Sequence, residues 1–293
     1  MDRIVPHLWF DTQAKEAAER YTSILPDSKV VDVTVLHDTP SGDCDVVTFV
    51  LAGQQFQAIS AGPLFSFNPS ISFIVNCDTP DEVDTLWAQL VDGGDVLMPL
   101  DSYPFSDRYG WLQDRYGLAW QIIHPSGPFT QKIVPSLLFV GDVCGKAEEA
   151  IGFYASVFDD SAVNDIVRYG PGQDPDPEGN VMYASFRLAG YELAAMDSAR
   201  AHGFSFNEAV SLEVLCDDQA EIDRFWSKLS AVPEAEQCGW LKDRFGVSWQ
   251  IVPKVMDEML RTADDEAVAR VTKAFLPMKK LDVAQLESAY AGG

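Results

Sequence analysis

The chain contains one sequence pattern twice, and this repeat constrains its fold more than any other feature. The string GWLQDRYGLAWQI at residues 110–122 returns as GWLKDRFGVSWQI at residues 239–251, an offset of 129 residues. The apolar string IVPHLWF at 4–10 returns as IVPSLLF at 133–139 with the same offset. Solenoid repeats have periods of roughly 20–50 residues, far shorter than this one. The sequence therefore predicts two copies of one fold in tandem.

The repeat also sets the predicted domain boundaries. The chain has 293 residues, and because domains typically span roughly 100–200 residues, each copy is long enough to bury its own core. We predict one domain over residues 1–127 and a second over residues 131–253, with residues 126–128 as the linker. Residues 254–293 lie outside the repeat and form a tail.

Each copy has the pattern of a doubled β-α-β-β-β unit. In the first copy, runs of apolar and β-branched residues predict strands, and spaced apolar residues predict helices. Thr79 is the expected N-cap of a helix that begins at Pro80 and stops before Gly93. The other predicted elements are a helix at residues 14–25 and strands at residues 4–10, 29–37, 45–52, 54–60, 70–76, 109–113 and 118–123.

Charge limits the partners of the chain. It has 45 acidic and 21 basic residues, which gives a formal net charge of −24. A chain this acidic repels phosphate groups and shows no stripe of basic residues, so we expect no binding to nucleic acid or to an anionic membrane. Solubility is the simpler explanation of the acidity, and a preference for a neutral or cationic ligand is the alternative.

The sequence does not indicate membrane insertion, export or disulfide bonding. No apolar run approaches the roughly 20 residues needed to cross a bilayer. The N-terminus lacks the basic start and apolar stretch of a signal peptide. The five cysteines are an odd number without C-x-x-C spacing, so neither a disulfide framework nor a zinc site is indicated. We expect a cytoplasmic protein whose cysteines are structural.

The tail, residues 254–293, differs in pattern from the repeats. Its apolar residues have the spacing of amphipathic helices, interrupted at Pro277. Such helices need an apolar surface to cover, so the tail either packs on its own domain or contributes to a homodimer contact. The sequence leaves both open.

Three strings of the chain resemble a known family. They are PHLWFD at residues 6–11, GWLKDRFGVSWQIVP at residues 239–253 and AFLPMKKLD at residues 274–282. They are similar to the PhnB-like family, which often carries the description 3-demethylubiquinone-9 3-methyltransferase. That family belongs to the glyoxalase/bleomycin-resistance/dioxygenase (vicinal oxygen chelate) superfamily. The resemblance covers both copies and the tail.

The resemblance implies an α+β fold of tandem glyoxalase-like domains, followed here by the helical tail. Each domain would consist of paired β-α-β-β-β modules whose curled mixed sheets surround a small-molecule cavity, often in a dimer. It implies no single reaction, because the superfamily includes isomerases, lyases, dioxygenases and binding proteins. True methyltransferase activity is not expected, since the chain lacks a glycine-rich turn after a parallel strand for S-adenosylmethionine.

The resemblance also implies where a metal would bind. Metal-using relatives hold a divalent ion with His, Gln or Glu on the first strand of each module and with Glu four positions after the hairpin glycine. Here the latter positions are Gln121 and Gln250. An amide offers a carbonyl oxygen but neither the charge nor the basicity of a carboxylate. We therefore expect no cofactor, and a divalent metal held by His7 and Gln121 is the alternative.

The candidate pocket residues are assigned copy by copy. They are His7, Gln57, Ser72 and Gln121 in the first copy, and Ser136, Ala194, Ser211 and Gln250 in the second. Each has a structural alternative. A lone strand histidine is often a hydrogen-bonded structural residue, and the glutamines could be satisfied by neighbouring backbone, because buried amides need partners.

The first copy carries a segment, residues 99–105, that the second copy lacks. Its proline and aromatic residues fit a lid at a pocket mouth, and a tolerated surface loop is the alternative. The first copy is also the more polar in its candidate pocket. We therefore hypothesise that the first copy binds the ligand and that the second is its structural partner.

Other repeated residues are interpreted as structural. The tryptophan pairs Trp111 with Trp240 and Trp120 with Trp249 are expected in the core, since large aromatic side chains dominate core packing. The aspartates of the repeated Asp-Arg dipeptides, at 114 and 243, are expected to form turns or ion pairs with the arginines that follow them.

Together these observations predict a protein that binds a small molecule in a β-sheet cavity without a catalytic metal, either as a binding protein or as a degenerate enzyme. One alternative is a divalent-metal-dependent lyase, isomerase or dioxygenase of the same superfamily. A second is a non-catalytic structural or interaction protein. The sequence leaves open whether the chain is an enzyme, which ligand it binds and whether it forms a homodimer.

Overall fold

The computed structural model of the chain describes residues 3–262 and 264–292. The first repeat forms β1 (Ile4–Phe10), α1 (Ala14–Ile24), β2 (Lys29–Thr39), β3 (Gly42–Leu51), β4 (Gln54–Ser60), β5 (Ile71–Asn76), α2 (Pro80–Leu90), β6 (Asp95–Tyr103), β7 (Ser106–Gln113) and β8 (Ala119–His124). The second repeat forms β9 (Ile133–Val140), α3 (Ala147–Val157), β10 (Ala162–Arg168), β11 (Val181–Leu188), β12 (Tyr191–Ser198), β13 (Val210–Cys216), α4 (Gln219–Leu229), β14 (Trp240–Lys242) and β15 (Ser248–Pro253). The tail forms α5 (Lys254–Thr262), α6 (Asp265–Phe275) and α7 (Val283–Ala291).

Helix α2 shows how the local sequence sets an element boundary. Thr79 has an extended backbone, and its hydroxyl accepts a hydrogen bond from the Glu82 backbone N–H at 3.2 Å. Pro80 occupies the first turn, where its missing N–H would have no helical partner. The helix ends at Leu90, before Gly93, which adopts a φ of +79°. The N-cap expected from the sequence is confirmed.

The strands form two mixed sheets that combine both repeats. Sheet A has the strand order β14-β15-β13-β1-β4-β3-β2, and sheet B has the order β10-β11-β12-β9-β5-β8-β7-β6. The two repeats meet where β1 pairs antiparallel with β13 in sheet A and β5 pairs antiparallel with β9 in sheet B. Each sheet is therefore built from one half of each repeat.

The compact units follow the sheets. Unit 1 consists of Met1–Ser23, Asp27–Ser66 and Asn207–Gly293, and contains sheet A with the tail. Unit 2 consists of Ile24–Pro26 and Phe67–Phe206, and contains sheet B. The sequence repeat and the compact unit thus describe different divisions of the same chain.

The tail packs inside unit 1. Helices α5 and α6 contact β2, and α5 also contacts β15. Their apolar residues join one buried cluster with side chains of the sheet, including Leu36 and Ala61. The tail therefore covers strands of both repeats, so packing on the second domain alone was an incomplete expectation. The homodimer contact stays a prediction.

The cysteines agree with the corresponding expectation. All five cysteines are free, and Cys44, Cys77 and Cys216 are buried. A small buried thiol packs as an apolar side chain. Within residues 3–262 and 264–292, none of the helices combines the length and the apolar character that crossing a membrane would require.

Candidate functional site

Strand pairing in sheet A gathers one group of candidate residues. The Cα register pairs His7 with Gln57 on one side and with Ser211 on the other. Gln250 lies on the next strand, and its Nε2 donates to Ser211 Oγ at 2.9 Å. We call the side of the sheet that carries these four residues the glutamine face of sheet A.

Strand pairing in sheet B gathers the equivalent group. The Cα register pairs Ser136 with Ser72 on one side and with Ala194 on the other. Gln121 lies on β8, and its Nε2 donates to Ser72 Oγ at 2.8 Å. This side of the sheet is the glutamine face of sheet B.

The structure therefore regroups the candidates. The assignment by copy placed His7 with Gln121, but these two residues lie in different sheets. The physical reason is the pairing of β1 with β13 and of β5 with β9, which exchanges the second halves of the two repeats. Neither face belongs to a single copy, so the contrast between a binding copy and a structural copy does not describe the observed sheets.

The side-chain amide of Gln121 is satisfied at both ends. Besides donating to Ser72, it accepts a hydrogen bond at Oε1 from the hydroxyl of Tyr109 at 2.8 Å. Burial, with a smaller contribution from Tyr103, raises the pKa of Tyr109, so this phenol stays protonated and can donate. The backbone partners suggested by the sequence are replaced by side chains.

Segment 99–105 is part of the edge hairpin of sheet B. It runs through β6 into the turn before β7, and Tyr103 stacks on Phe105 with their ring centroids 5.6 Å apart. Both rings meet the edge of Tyr109, with centroid distances of 5.4 and 5.0 Å. The segment therefore packs against Tyr109, the residue that donates a hydrogen bond to Gln121. Whether it also acts as a lid stays a prediction.

The repeated tryptophans divide into two kinds. Trp120 and Trp249 are fully buried, which confirms the expected core position. Trp111 and Trp240 are only partly buried. They pair in register with Gln121 and Gln250, and so lie on the glutamine faces. For Trp111 and Trp240, the core interpretation was wrong. Side chains alternate along a strand, so these two lie on the side of the sheet opposite to the residues next to them in sequence.

The repeated aspartates are hairpin residues rather than site residues. The Asp114 carboxylate accepts from the backbone N–H groups of Tyr116 and Leu118 and from the Trp120 indole at 2.8, 3.1 and 2.9 Å. Arg115, the expected ion-pair partner, instead pairs with Asp92. The turn interpretation is confirmed, and the carboxylate also locks the tryptophan of the following strand.

Asp243 repeats this arrangement in unit 1. It accepts from the backbone N–H groups of Phe245 and Val247 and from the Trp249 indole at 2.8, 3.1 and 2.9 Å. The same three bonds thus explain the recurrence of the Asp-Arg-aromatic-Gly string in both copies.

The glutamine face of sheet A also carries groups that the sequence analysis missed. Glu213 pairs in register with Gln250 and is 2% exposed. Asp257, on α5, accepts a hydrogen bond at Oδ1 from Gln57 Nε2 at 3.0 Å. The sequence holds a signal for Glu213, because it is the one charged residue in the apolar strand VSLEVLC. Asp257 could be found only from the packing of the tail.

Burial perturbs the titration of this cluster. Loss of solvation lowers the pKa of His7 to about 3, so its imidazole is neutral. Burial, followed by the charge of Asp257, raises the pKa of Glu213 well above its ordinary value. Two of these buried polar atoms, His7 Nδ1 and Glu213 Oε2, have no hydrogen-bond partner among the described residues. Such atoms are costly to bury and are rare in folded proteins.

The glutamine face of sheet B is more apolar, and its candidate residues Ser72, Gln121, Ser136 and Ala194 are buried. Helices α2 and α3 pack on the other side, where Gly110 lies against the Trp87 ring. Ala194 packs with two other buried apolar residues of the glutamine face, Ile74 and Val134. Toward the β10 edge, Val167 and Tyr183 are 38% and 37% exposed.

At both glutamine positions the donor available to a divalent metal is an uncharged amide. Glutamine stands at the two positions where metal-using relatives have glutamate, and both amides donate to serine hydroxyls. In sheet A, Gln57 is engaged by Asp257. The described part of the chain has no group of three or more His, Cys, Asp or Glu side chains placed to hold a metal ion. At the two glutamine positions the donor set therefore lacks the carboxylates that catalytic metal sites commonly use.

The two sheets with their repeated Gln–Ser pairs define a tandem protein of the glyoxalase-like α+β fold. Glyoxalase I from Zea mays shares this fold: the structures superpose with a TM-score of 0.51 at 10% identity, over 88% of this chain and 96% of that one. The model of the 3-demethylubiquinone-9 3-methyltransferase family matches residues 2–123 and again residues 131–252. The chain therefore belongs to this family, as its sequence strings indicated.

Two further solved structures are similar over less than half of this chain. A Bacillus cereus protein described as 3-demethylubiquinone-9 3-methyltransferase, PhnB protein, is 37% identical and covers 41% of this chain and 97% of its own length, with a TM-score of 0.39. Protein PA1353 from Pseudomonas aeruginosa is 24% identical and covers 41% of this chain and 94% of its own length, with a TM-score of 0.36. No curated protein matches the chain.

Proposed function

We propose that the protein binds a small molecule on the glutamine face of sheet B and does so without a catalytic metal. The observation that carries this proposal is a pair of buried, unsatisfied polar groups on the side of sheet B opposite to helices α2 and α3. Ser136 Oγ and Trp111 Nε1 have no hydrogen-bond partner among the described residues. Both lie on the face that carries Gln121.

The chemistry of the face indicates the kind of ligand. The Trp111 indole can only donate a hydrogen bond, whereas the Ser136 hydroxyl can donate or accept. Between and around them lie apolar side chains, including Ile74, Val134 and Ala194. A ligand with an apolar body and a carbonyl or other acceptor group would satisfy the indole and cover apolar surface. Apolar sites with a few placed polar groups are typical of small-molecule binding.

Substitution of Ser136 gives a clean test. Because its hydroxyl has no partner among the residues that the structure describes, Ser136→Ala should leave stability nearly unchanged while weakening ligand binding. The matched control is Ser248→Ala, which removes another buried, unpartnered hydroxyl but from sheet A. Each purified, untagged variant would be incubated with the small-molecule fraction of a cell extract and examined by native mass spectrometry with metal analysis.

The outcomes separate the parts of the proposal. We expect an organic adduct on the wild type and on Ser248→Ala, and a reduced adduct on Ser136→Ala. Loss of the adduct in Ser248→Ala alone would move the site to sheet A, and no adduct on any variant would contradict small-molecule binding. A stoichiometric divalent metal would contradict the metal-free mechanism and favour the metal-dependent alternative.

A further inference from the structure

Helix α5 lies on the glutamine face of sheet A. Its Asp257 accepts the hydrogen bond from Gln57, and its Met256 and Met259 join the apolar cluster that includes Trp9 and Ile59 of the sheet. Trp9 and Ile59 follow His7 and Gln57 by two residues, and so share their face of the sheet. The tail thus occupies the surface that corresponds to the proposed binding face of sheet B.

Polar groups remain unsatisfied beneath this helix. His7 and Glu213 are 5% and 2% exposed, and His7 Nδ1 and Glu213 Oε2 have no partner among the described residues. The positions equivalent to these two in sheet B are Ser136 and Ile74. Sheet A therefore has buried polar groups that helix α5 does not pair with hydrogen bonds. An interior selected only for stability would have apolar residues at these positions.

The charges at the contact oppose the closed position of α5. Asp257 faces Glu213 on β13, whose pKa it raises, and its own carboxylate is disfavoured by burial and by Asp32 on β2. Arg261 on the same helix and the Gln57 amide favour the Asp257 charge. The Asp257 pKa is nevertheless raised, so the closed position carries a net electrostatic cost.

We propose that the glutamine face of sheet A is a second small-molecule site, that α5 is its displaceable lid, and that Asp257 takes the place of a carboxylate on the ligand. The Gln57 amide is a donor, and Glu213 lies on the same face of the sheet, on the other side of β1. A carboxylate ligand would displace Asp257 from the Gln57 amide and lay its apolar part on Trp9 and Ile59. The inference rests on the proposed function only in treating a glutamine face as a binding surface.

Hydrogen exchange of residues 254–262, read by mass spectrometry, tests the lid. Local opening gives exchange faster than that of the core strands. Gln57→Ala leaves the partly buried Asp257 carboxylate without this donor, so α5 should exchange about tenfold faster or more, the expected loss of a hydrogen bond to a charged group. Asp257→Asn keeps the acceptor and removes the disfavoured charge, so α5 should exchange several-fold more slowly.

Gln55→Ala is the matched control. Gln55 lies two residues from Gln57 on the same strand and face, and is partly buried. Its exchange pattern in α5 should equal that of the wild type, and peptides of β13 should exchange equally slowly in all variants. If Gln55→Ala and Gln57→Ala accelerate hydrogen exchange of α5 equally, the proposal that α5 is a lid is wrong. It is also wrong if the protection of α5 in the wild type equals that of β13, because the helix would then open only on global unfolding.

The ligand class needs its own probe. Phenylacetate joins an aromatic ring to a carboxylate, and 2-phenylethanol is its neutral counterpart. Phenylacetate should speed α5 exchange in the wild type by binding the open form, whereas 2-phenylethanol should not. If both compounds or neither change α5 exchange, the carboxylate assignment is wrong. These readouts lie in unit 1, so they succeed or fail independently of Ser136 in unit 2.

Discussion

Replacement of Asp243 by alanine should cause one of the largest losses of stability available to a single substitution in unit 1. The carboxylate is 1% exposed and accepts three hydrogen bonds at 2.8–3.1 Å, two from backbone N–H groups and one from the Trp249 indole. Alanine leaves all three donors without this acceptor. At about 1 kcal/mol or more for each buried unsatisfied donor, we expect a loss of about 3–5 kcal/mol.

A graded series separates geometry from charge. Asp243→Asn keeps one oxygen for the two backbone donors but turns an amide toward the indole, so about 1–2 kcal/mol should be lost. Asp223→Ala removes a half-exposed partner of Lys280 and should change stability by less than about 1 kcal/mol. Asp114→Ala repeats the experiment in unit 2, where the three bonds have the same lengths.

Urea unfolding followed by far-UV circular dichroism would measure these differences, with hydrogen exchange of residues 240–253 as the local readout. The expected order of destabilisation is Asp243→Ala, then Asp243→Asn, then Asp223→Ala. Equal effects of the alanine and asparagine variants would show that charge rather than hydrogen-bond geometry holds the hairpin. A loss below about 1 kcal/mol for Asp243→Ala would refute the reasoning, since three buried donors left without an acceptor must cost more.

Two further substitutions test burial and close packing. Because the pKa of Glu213 is raised in the folded state, its contribution to stability is complete below the unfolded pKa and is lost as pH rises toward the folded pKa. The free energy of unfolding of Glu213→Gln should therefore match that of the wild type near pH 4 but exceed it at about pH 8, with up to about 1.4 kcal/mol gained per pH unit between the two pKa values. Thermal unfolding of both proteins across that pH range checks this. Parallel stability curves of the two proteins would contradict it. Gly110→Ala would place a Cβ 2.4 Å from the Trp87 ring and should cost about 1–3 kcal/mol in urea unfolding, whereas Gly127→Ala, with nothing within 4 Å, should be neutral.

Local features of the fold were predictable because they depend on neighbouring residues. The Thr79 N-cap, the turn at Asp114 and the core positions of Trp120 and Trp249 follow from short-range spacing, and the structure has each of them. The segment at 99–105 was harder. Its two prolines suggested a loop, yet Pro99 lies within the edge strand β6, where the pairing with β7 is irregular between Met98 and Asp101.

The grouping of the candidate site was not predictable in the same way. A repeat shows that two similar modules exist twice, but the choice of partner for β1 depends on long-range pairing. Within one copy β1 would join β5, whereas in the structure it joins β13. Both pairings satisfy the same alternation of side chains, because the modules are similar in sequence. Local pattern therefore identified His7 and Gln121 as site positions but could not decide that they lie in different sheets.

Because each sheet combines one half of each repeat, the two glutamine faces can differ in sequence independently of each other. Each face draws residues from both repeats, so one substitution in either repeat changes only one face. Sheet A has His7, Gln57 and Glu213 where sheet B has Ser136, Ala194 and Ile74, while the Gln–Ser pair is common to both. The common pair fits a shared structural need, since each glutamine joins two adjacent strands of its sheet. The residues that differ are those beside the pair. In sheet A they lie under an α-helix that carries an aspartate, and in sheet B they line the face for which we propose a small molecule, which Ser136→Ala tests.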